Sequence, residues 1–414
     1  MTDNADRRRR LERLLEIACA SQGWSKRRLA KALGRDPTKL IPESGNPKLD
    51  FVVALAELLG SPVGDVVSFI VGPSGESSVT TNQSRSGFEA LDALAMEAHA
   101  RGAFQEMVDL GCRSQVVAKT PEQFALACNR EYGGWDGLGR YQNALDAIRK
   151  GLEHGPLPRW QSSMLRSNLA NAHYALWNLV EARAIGTGII DDLHATPGEH
   201  PNDELTLAFA YYVRGNALRR TLQNEPSGAQ GMASRASDDL HRARGEYLRL
   251  GEVDQNDAFN AVAHTCDGAL LELAVEQNAT CAGDAVERIL GGLDAIVDPA
   301  SVPSGEWLES WGWWCVFGAN ICLEHLAEDR ADQPLAILTN KAHEIASRLD
   351  NWALRERAFT LEHACERMSP SRSMALGTSL VDSEDIGLLV GTMGRFPTFR
   401  ATGWRILESA GFVR

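Results

Sequence analysis

Apolar residues between positions 87 and 368 recur with a period near 3.6 residues, in paired segments broken by glycine or polar turns. The pairs cover 88–101 with 104–117, 121–133 with 141–153, 160–176 with 179–193, 203–223 with 233–250, 255–277 with 282–297, and 306–328 with 333–349. A single helix over 351–368 follows. No stretch alternates apolar and polar side chains as a half-buried strand does. One helix pair cannot bury its apolar face alone. Pairs repeating every 35 to 50 residues or so stack into one continuous core, so this part of the chain reads as an all-α solenoid.

Composition divides the chain. Residues 73–86, PSGESSVTTNQSRS, contain no large apolar side chain except Val79 and read as a flexible linker. Before it, residues 1–72 parse into five short helices. The first runs from Arg7 to Ser21 with Leu11, Leu14, Leu15 and Ala18 inward. Ser25 caps the second, whose inward residues are Leu29, Ala32 and Leu33. Asp36 caps a third with Pro37 at its first position, and Pro42 stops it after about one and a half turns. The fourth starts at Asn46-Pro47 and turns Leu49, Val52, Val53, Ala56 and Leu59 inward. The fifth starts at Ser61-Pro62. Residues 369–414 are richer in Gly, Ser, Thr and Pro yet carry Leu388, Phe396, Phe399 and Trp404, so they are expected to cap the last repeat of the 87–368 domain.

The net charge of −13 is unevenly spread. Residues 1–72 hold 12 Lys and Arg against 9 Asp and Glu, a balance of +3, which leaves −16 on the remainder. A basic head on an acidic body points the head alone at a polyanion. Eight cysteines without a CxxC spacing read as reduced thiols in a cytoplasmic protein. The basic N-terminus has no apolar core behind it and is not read as a signal peptide, and no segment is long enough to enter a membrane. Cys322 with His325, and His264 with Cys266, are too few ligands for a metal site. Neither a metal nor a cofactor is implied. Gly133–Gly139, GGWDGLG, lacks the strand and the Lys-Ser/Thr of a phosphate loop and reads as a helix-hairpin turn. No nucleophile elbow, deaminase or kinase pattern occurs. An enzyme would need a convergent pocket of perturbed carboxylates, and the sequence alone does not reveal one.

The stretch WSKRRLAKALGRDPTKL, followed by NPKLDFVVALAELLGSPVGDVV, resembles the Cro/C1-type (XRE family) helix-turn-helix. The likeness rests on Leu29, Ala30, Leu33, Gly34, Pro47, Leu55, Ala56, Leu59 and Gly60. It implies that the third helix enters the major groove of double-stranded DNA. The residues placed at the duplex are Lys26, Arg28, Arg35, Asp36, Thr38 and Lys39, with Lys39 and Arg35 aimed at guanine or phosphate and Thr38 at a thymine methyl or phosphate. Arg7–Arg10 read as an arm against the phosphate backbone or minor groove.

The segments REYGGWDGLGRYQNALDAIRKGLE and SNLANAHYALWNLVEARAIGTGIID resemble tetratricopeptide repeats through Gly139-Arg140-Tyr141 with Ala144 and Leu145, and through Leu169, Ala170, Tyr174 and Ala182. A Cro/C1-type head on such repeats is similar in architecture to peptide-sensing quorum regulators. It implies a homodimeric transcription regulator whose repeats bind a peptide, small ligand or protein partner. The alternative is a repeat adaptor with a vestigial head. Asn129, Asn171, Asn216, Asn260 and Asn320 recur in the first helices of successive units and offer amide donors and acceptors to an extended peptide, with Tyr212, Arg214 and Arg219 placed to take its carboxylate. Trp307, Trp311 and Trp314, at helical spacing beside Trp313, read as inter-helix core.

Overall fold

The computed structural model describes residues 4–22, 24–37, 40–42, 46–59, 63–71, 87–196, 198, 200–222, 229–296, 305–368, 380–381 and 383–412. The protein is all-α and falls into two units, Met1–Arg85 and Ser86–Arg414. Among the described residues the only strands are the two-residue segments Leu380–Val381 and Gly411–Phe412, which pair in parallel. No helix of the described residues is long and apolar enough to cross a membrane.

The first unit contains α1 (Asn4–Gln22), α2 (Lys26–Ala32), α3 (Leu49–Leu59) and α4 (Val63–Val71). Ser25 caps α2, its Oγ accepting from the Arg28 N–H at 3.3 Å. Gly34, at φ +64°, makes the left-handed exit that a side chain would strain. The core joins Leu11, Leu14, Leu15 and Ala18 to Leu29, Leu33, Val52, Ala56, Val66 and Ile70. Two inward faces differ from expectation. Ala30 rather than Ala32 is buried on α2, and on α3 Phe51 and Leu55 are buried while Leu49 is 71% exposed. Rotating α3 this way hides the phenyl ring, which removes more apolar area from water than Leu49 would.

The expected third helix is absent among the described residues. Pro37 sits in a turn and Leu40 and Ile41 in bends, while Thr38 and Lys39 lie outside the described residues. Leu40 still reaches the core, at 2% exposure. Arg7–Arg10 lie within α1 rather than forming an arm: Arg7 donates to Asn46 Oδ1 at 2.8 Å and Arg8 pairs with Glu12 at 3.4 Å. The expected linker, 73–86, also lies outside the described residues.

The second unit is a run of antiparallel helix pairs: α5 (Phe88–Ala100), α6 (Phe104–Val117), α7 (Pro121–Gly137), α8 (Tyr141–Glu153), α9 (Arg159–Ala175), α10 (Leu179–Ala195), α11 (Pro201–Leu222), α12 (Ala229–Asp254), α13 (Asp257–Glu276), α14 (Ala282–Ile296), α15 (Gly305–His325), α16 (Glu328–Leu349) and a lone α17 (Trp352–Met368). The glycine run GGWDGLG is mostly inside α7, not in a hairpin turn. A Cβ on Gly134 would stand 2.6 Å from Val108 Cγ2 and 2.8 Å from the Phe104 carbonyl, so these glycines let α6 lie close against α7. Only Gly139, at φ +66°, belongs to the turn.

The tail does more than cap the last repeat. Leu389, Met393, Phe396 and Phe399 share one core with Tyr141, Ile148, Leu165 and Leu176 from α8 and α9. Arg395 Nε donates to the Leu138 carbonyl at 3.2 Å, across 257 residues of chain, and its guanidinium lies 3.5 Å from the centre of the Trp352 ring on α17. Phe359 of α17 packs at 6.2 Å on Phe399. The tail therefore ties α17 back to α7–α9, and the superhelix closes on itself around an interior.

Candidate functional site

In the first unit the exposed surface of α2 is cationic. Lys26, Arg27, Arg28 and Lys31 are all exposed, and the helix carries no acidic residue. Arg28 lies over the Trp24 ring at 4.9 Å, which orients its guanidinium. Arg35 reaches both carboxylate oxygens of Asp50, at 3.1 and 3.2 Å, and lies 5.7 Å from the Phe51 ring. Asp50 is 74% exposed, so this ion pair costs little to exchange for another anion. Of the residues expected at DNA, Lys26 and Arg28 share one helix, Arg35 and Asp36 follow it, and Thr38 and Lys39 lie outside the described residues. Arg27 and Lys31 were not singled out by the sequence pattern. The signal for them was present in KRRLAK, whose apolar positions leave both on the outer face.

In the second unit the expected asparagine row separates into three settings. Asn129 accepts from Asn168 at 2.7 Å, and Asn171 donates to the Tyr132 hydroxyl at 3.2 Å, both beside an interior cavity. Asn216 and Asn320 belong to a buried charge network. There Arg219 pairs with Glu272 at 2.7 Å and donates to Asn216 at 3.3 Å, while Asn320 bridges Glu272 at 3.3 Å and Arg357 at 3.5 Å. Asn260 turns to Asp257 at the start of α13. Arg214 is held by both oxygens of Asp239 at 2.7 Å. Tyr212 packs edge-on against Tyr247, and burial pushes its hydroxyl pKa upward. The arginines placed to take a carboxylate already hold one from the protein.

Of the tryptophan stripe, Trp314 is inter-helix core with Trp311 and Trp313 packed against it, whereas Trp307 lies outside the core clusters of the described residues. Trp314 donates to the His264 carbonyl at 2.8 Å and stacks on that ring at 4.7 Å, and Trp307 donates to Asp257 at 2.7 Å. Trp313 faces the other way and donates to Glu309 at 3.4 Å.

The cavity, about 480 Å³ and partly open to solvent, is lined by residues of α5–α9, α11 and α15, by the α16–α17 turn and by the helix ends that flank it. Four carboxylates line it (Asp136, Glu306, Glu309 and Asp350) and no lysine or arginine does. Burial first, then the neighbouring Glu309, pushes Asp136 up to about 7, against the pull of a hydrogen bond from Tyr132. Burial likewise raises Glu309, although Trp313 and Asn351 donate to it. Sequence reasoning missed both acids, because they come together only when the superhelix closes.

Among the described residues one further group has metal-ligating chemistry. Glu276, Glu324 and His325 place one donor each within 4.8 Å of one another. His325 Nε2 pairs with Glu276 at 3.1 Å, and Arg219 lines the same recess. A guanidinium beside the carboxylates opposes a metal cation, and Cys322 is not part of the group.

The sequence matches no protein-family model and no curated protein. A solved structure similar to the chain is that of Bacillus thuringiensis PlcR in complex with the peptide PapR7 and DNA. The identity is 12% and the TM-score 0.32, over 83% of this chain and 96% of that one.

Proposed function

We propose that the chain is a DNA-binding transcription regulator whose second unit binds a ligand. The observation that carries this reading is the exposed cationic face of α2, free of acidic residues, on a unit with a charge surplus opposite to that of the rest of the chain. Lys26, Arg27, Arg28 and Lys31 meet phosphates. Arg35 exchanges Asp50 for the duplex, and Thr38 and Lys39 reach base edges. Two chains bind half-sites about one helical turn apart. Occupancy of the second unit controls their pairing, and so the effective concentration of the heads.

The test is fluorescence anisotropy of a labelled duplex titrated with the full chain at several salt concentrations. Affinity should fall with a log–log slope of about −0.9 for each phosphate neutralised. Lys26→Ala with Arg28→Ala should flatten that slope by about 2 units. Arg35→Ala with Lys39→Ala should weaken binding at unchanged helical content. A full chain that ignores DNA at every salt concentration, or double variants that bind as the parent does, would refute the reading.

Asp136 and Glu309 favour a second reading, acid–base catalysis, since two perturbed carboxyls share one cavity. Against it, burial moves both in the same direction, whereas an acid and base pair is driven apart. Turnover of a bound compound would reveal it.

A further inference from the structure

The second unit's interior carries a charge imbalance that folding has not resolved. Of its four lining carboxylates, Glu306 and Asp350 are exposed and Asp350 pairs with Arg355 at 3.4 Å, whereas Asp136 and Glu309 face no lysine or arginine of the lining. Among the described residues no cation is a leading influence on Asp136 or on Glu309. The charged and polar groups that act on them are Glu309 and Tyr132 for the first, and Glu306, Trp313 and Asn351 for the second. Buried carboxyls are normally paired.

Two buried polar atoms in the same wall are also without hydrogen-bond partners among the described residues. Asp136 Oδ1 is buried and accepts no hydrogen bond, and Trp352 Nε1 is buried and donates none. Tyr141 is 8% exposed and lines the cavity, and its hydroxyl has no hydrogen bond among the described residues. Beside them stand the rings of Phe104, Tyr132 and Phe209. Buried polar groups of native proteins are satisfied as a rule, so two open ones around one space mark groups that an occupant completes.

We propose that this cavity binds an organic cation, a primary ammonium or guanidinium on an apolar or aromatic body. The cationic head takes Asp136 and Glu309, and the body lies against Phe104, Tyr132, Tyr141 and Phe209, whose faces also attract cations. The volume suits a small amine or the first residues of a peptide with a free N-terminus. The inference rests on the reading of the second unit as the ligand-binding half, and it names the ligand chemistry.

Binding is tested on the full chain by thermal shift and calorimetry, with phenethylamine, its neutral isostere phenethyl alcohol and the anion 3-phenylpropionate as probes. A tripeptide with a free phenylalanine N-terminus and its N-acetylated form distinguish a peptide source from a free amine. Phenethylamine should bind saturably, with the alcohol and the carboxylate about tenfold weaker or worse. D136N and E309Q should each lose about tenfold for the amine. Calorimetry in buffers of different ionisation enthalpy should show proton release on amine binding near pH 7, and D136N should abolish it. If D136N does not fold, E309Q alone decides. Equal binding of amine and alcohol, absence of amine binding, or full amine binding by E309Q would each overturn the proposal. Because DNA binding is read separately, such a failure leaves the regulator reading standing.

Discussion

Two buried polar regions of the second unit can be set side by side. Around Arg219 and Glu272 charges of both signs meet: the ion pair at 2.7 Å is flanked by Asn216, Asn320 and Arg357. Around Asp136 and Glu309 the charges share one sign, and an acceptor and a donor stand open. The first arrangement is complete within the protein and serves the fold. The second leaves the folded state carrying two desolvated carboxyls that hydrogen bonds from Tyr132, Trp313 and Asn351 compensate only in part, a cost that selection tolerates at functional sites.

The largest test breaks the complete region. Arg219→Met leaves Glu272 buried without its guanidinium and should cost about 3–5 kcal/mol in denaturant unfolding. Pairing it with Glu272→Leu should recover most of that loss. If the single variant is as stable as the parent, the network is not structural.

The opposite outcome is expected in the cavity. Asp136 has a folded pKa near 7, above its unfolded value of 3.8. The folded state therefore holds its proton more tightly. The group destabilises progressively as pH rises through that window and costs nothing below it. Asp136→Asn should thus stabilise the chain by about 2 kcal/mol at pH 8, with the gain vanishing near pH 4. A loss of stability at pH 8 would mean that the carboxylate has a cationic partner. The smallest effect is expected for Tyr141→Phe, which removes an unpartnered hydroxyl and should change stability by less than about 0.5 kcal/mol.

The same contrast explains what was legible in the sequence. Helical period and glycine breaks give the pairs from α5 to α16, because each repeat buries its own apolar stripe against its neighbours. The cationic face of α2 is equally local. The asparagine row was legible as a repeat of residue type, but not as one surface. Whether an amide meets Glu272, as Asn320 does, or stands beside an open cavity, as Asn171 does, depends on helices far away in sequence. Ring closure depends on Arg395 meeting Leu138 and on Phe396 meeting Tyr141, contacts without local periodicity. The acid pair inherits that dependence, since Asp136 lies on α7 and Glu309 on α15. The expected third helix of the first unit falls partly on Thr38 and Lys39, which lie outside the described residues.

The most direct test of the central claim, that the interior holds a desolvated acid awaiting a cation, is a pH titration of the full chain labelled with carbonyl-13C aspartate and followed by NMR. One carboxyl should titrate near pH 7, disappear in Asp136→Asn, and shift to lower pH when phenethylamine is added. If every aspartate titrates below about pH 5, the cavity holds no such group and the account of the second unit is contradicted.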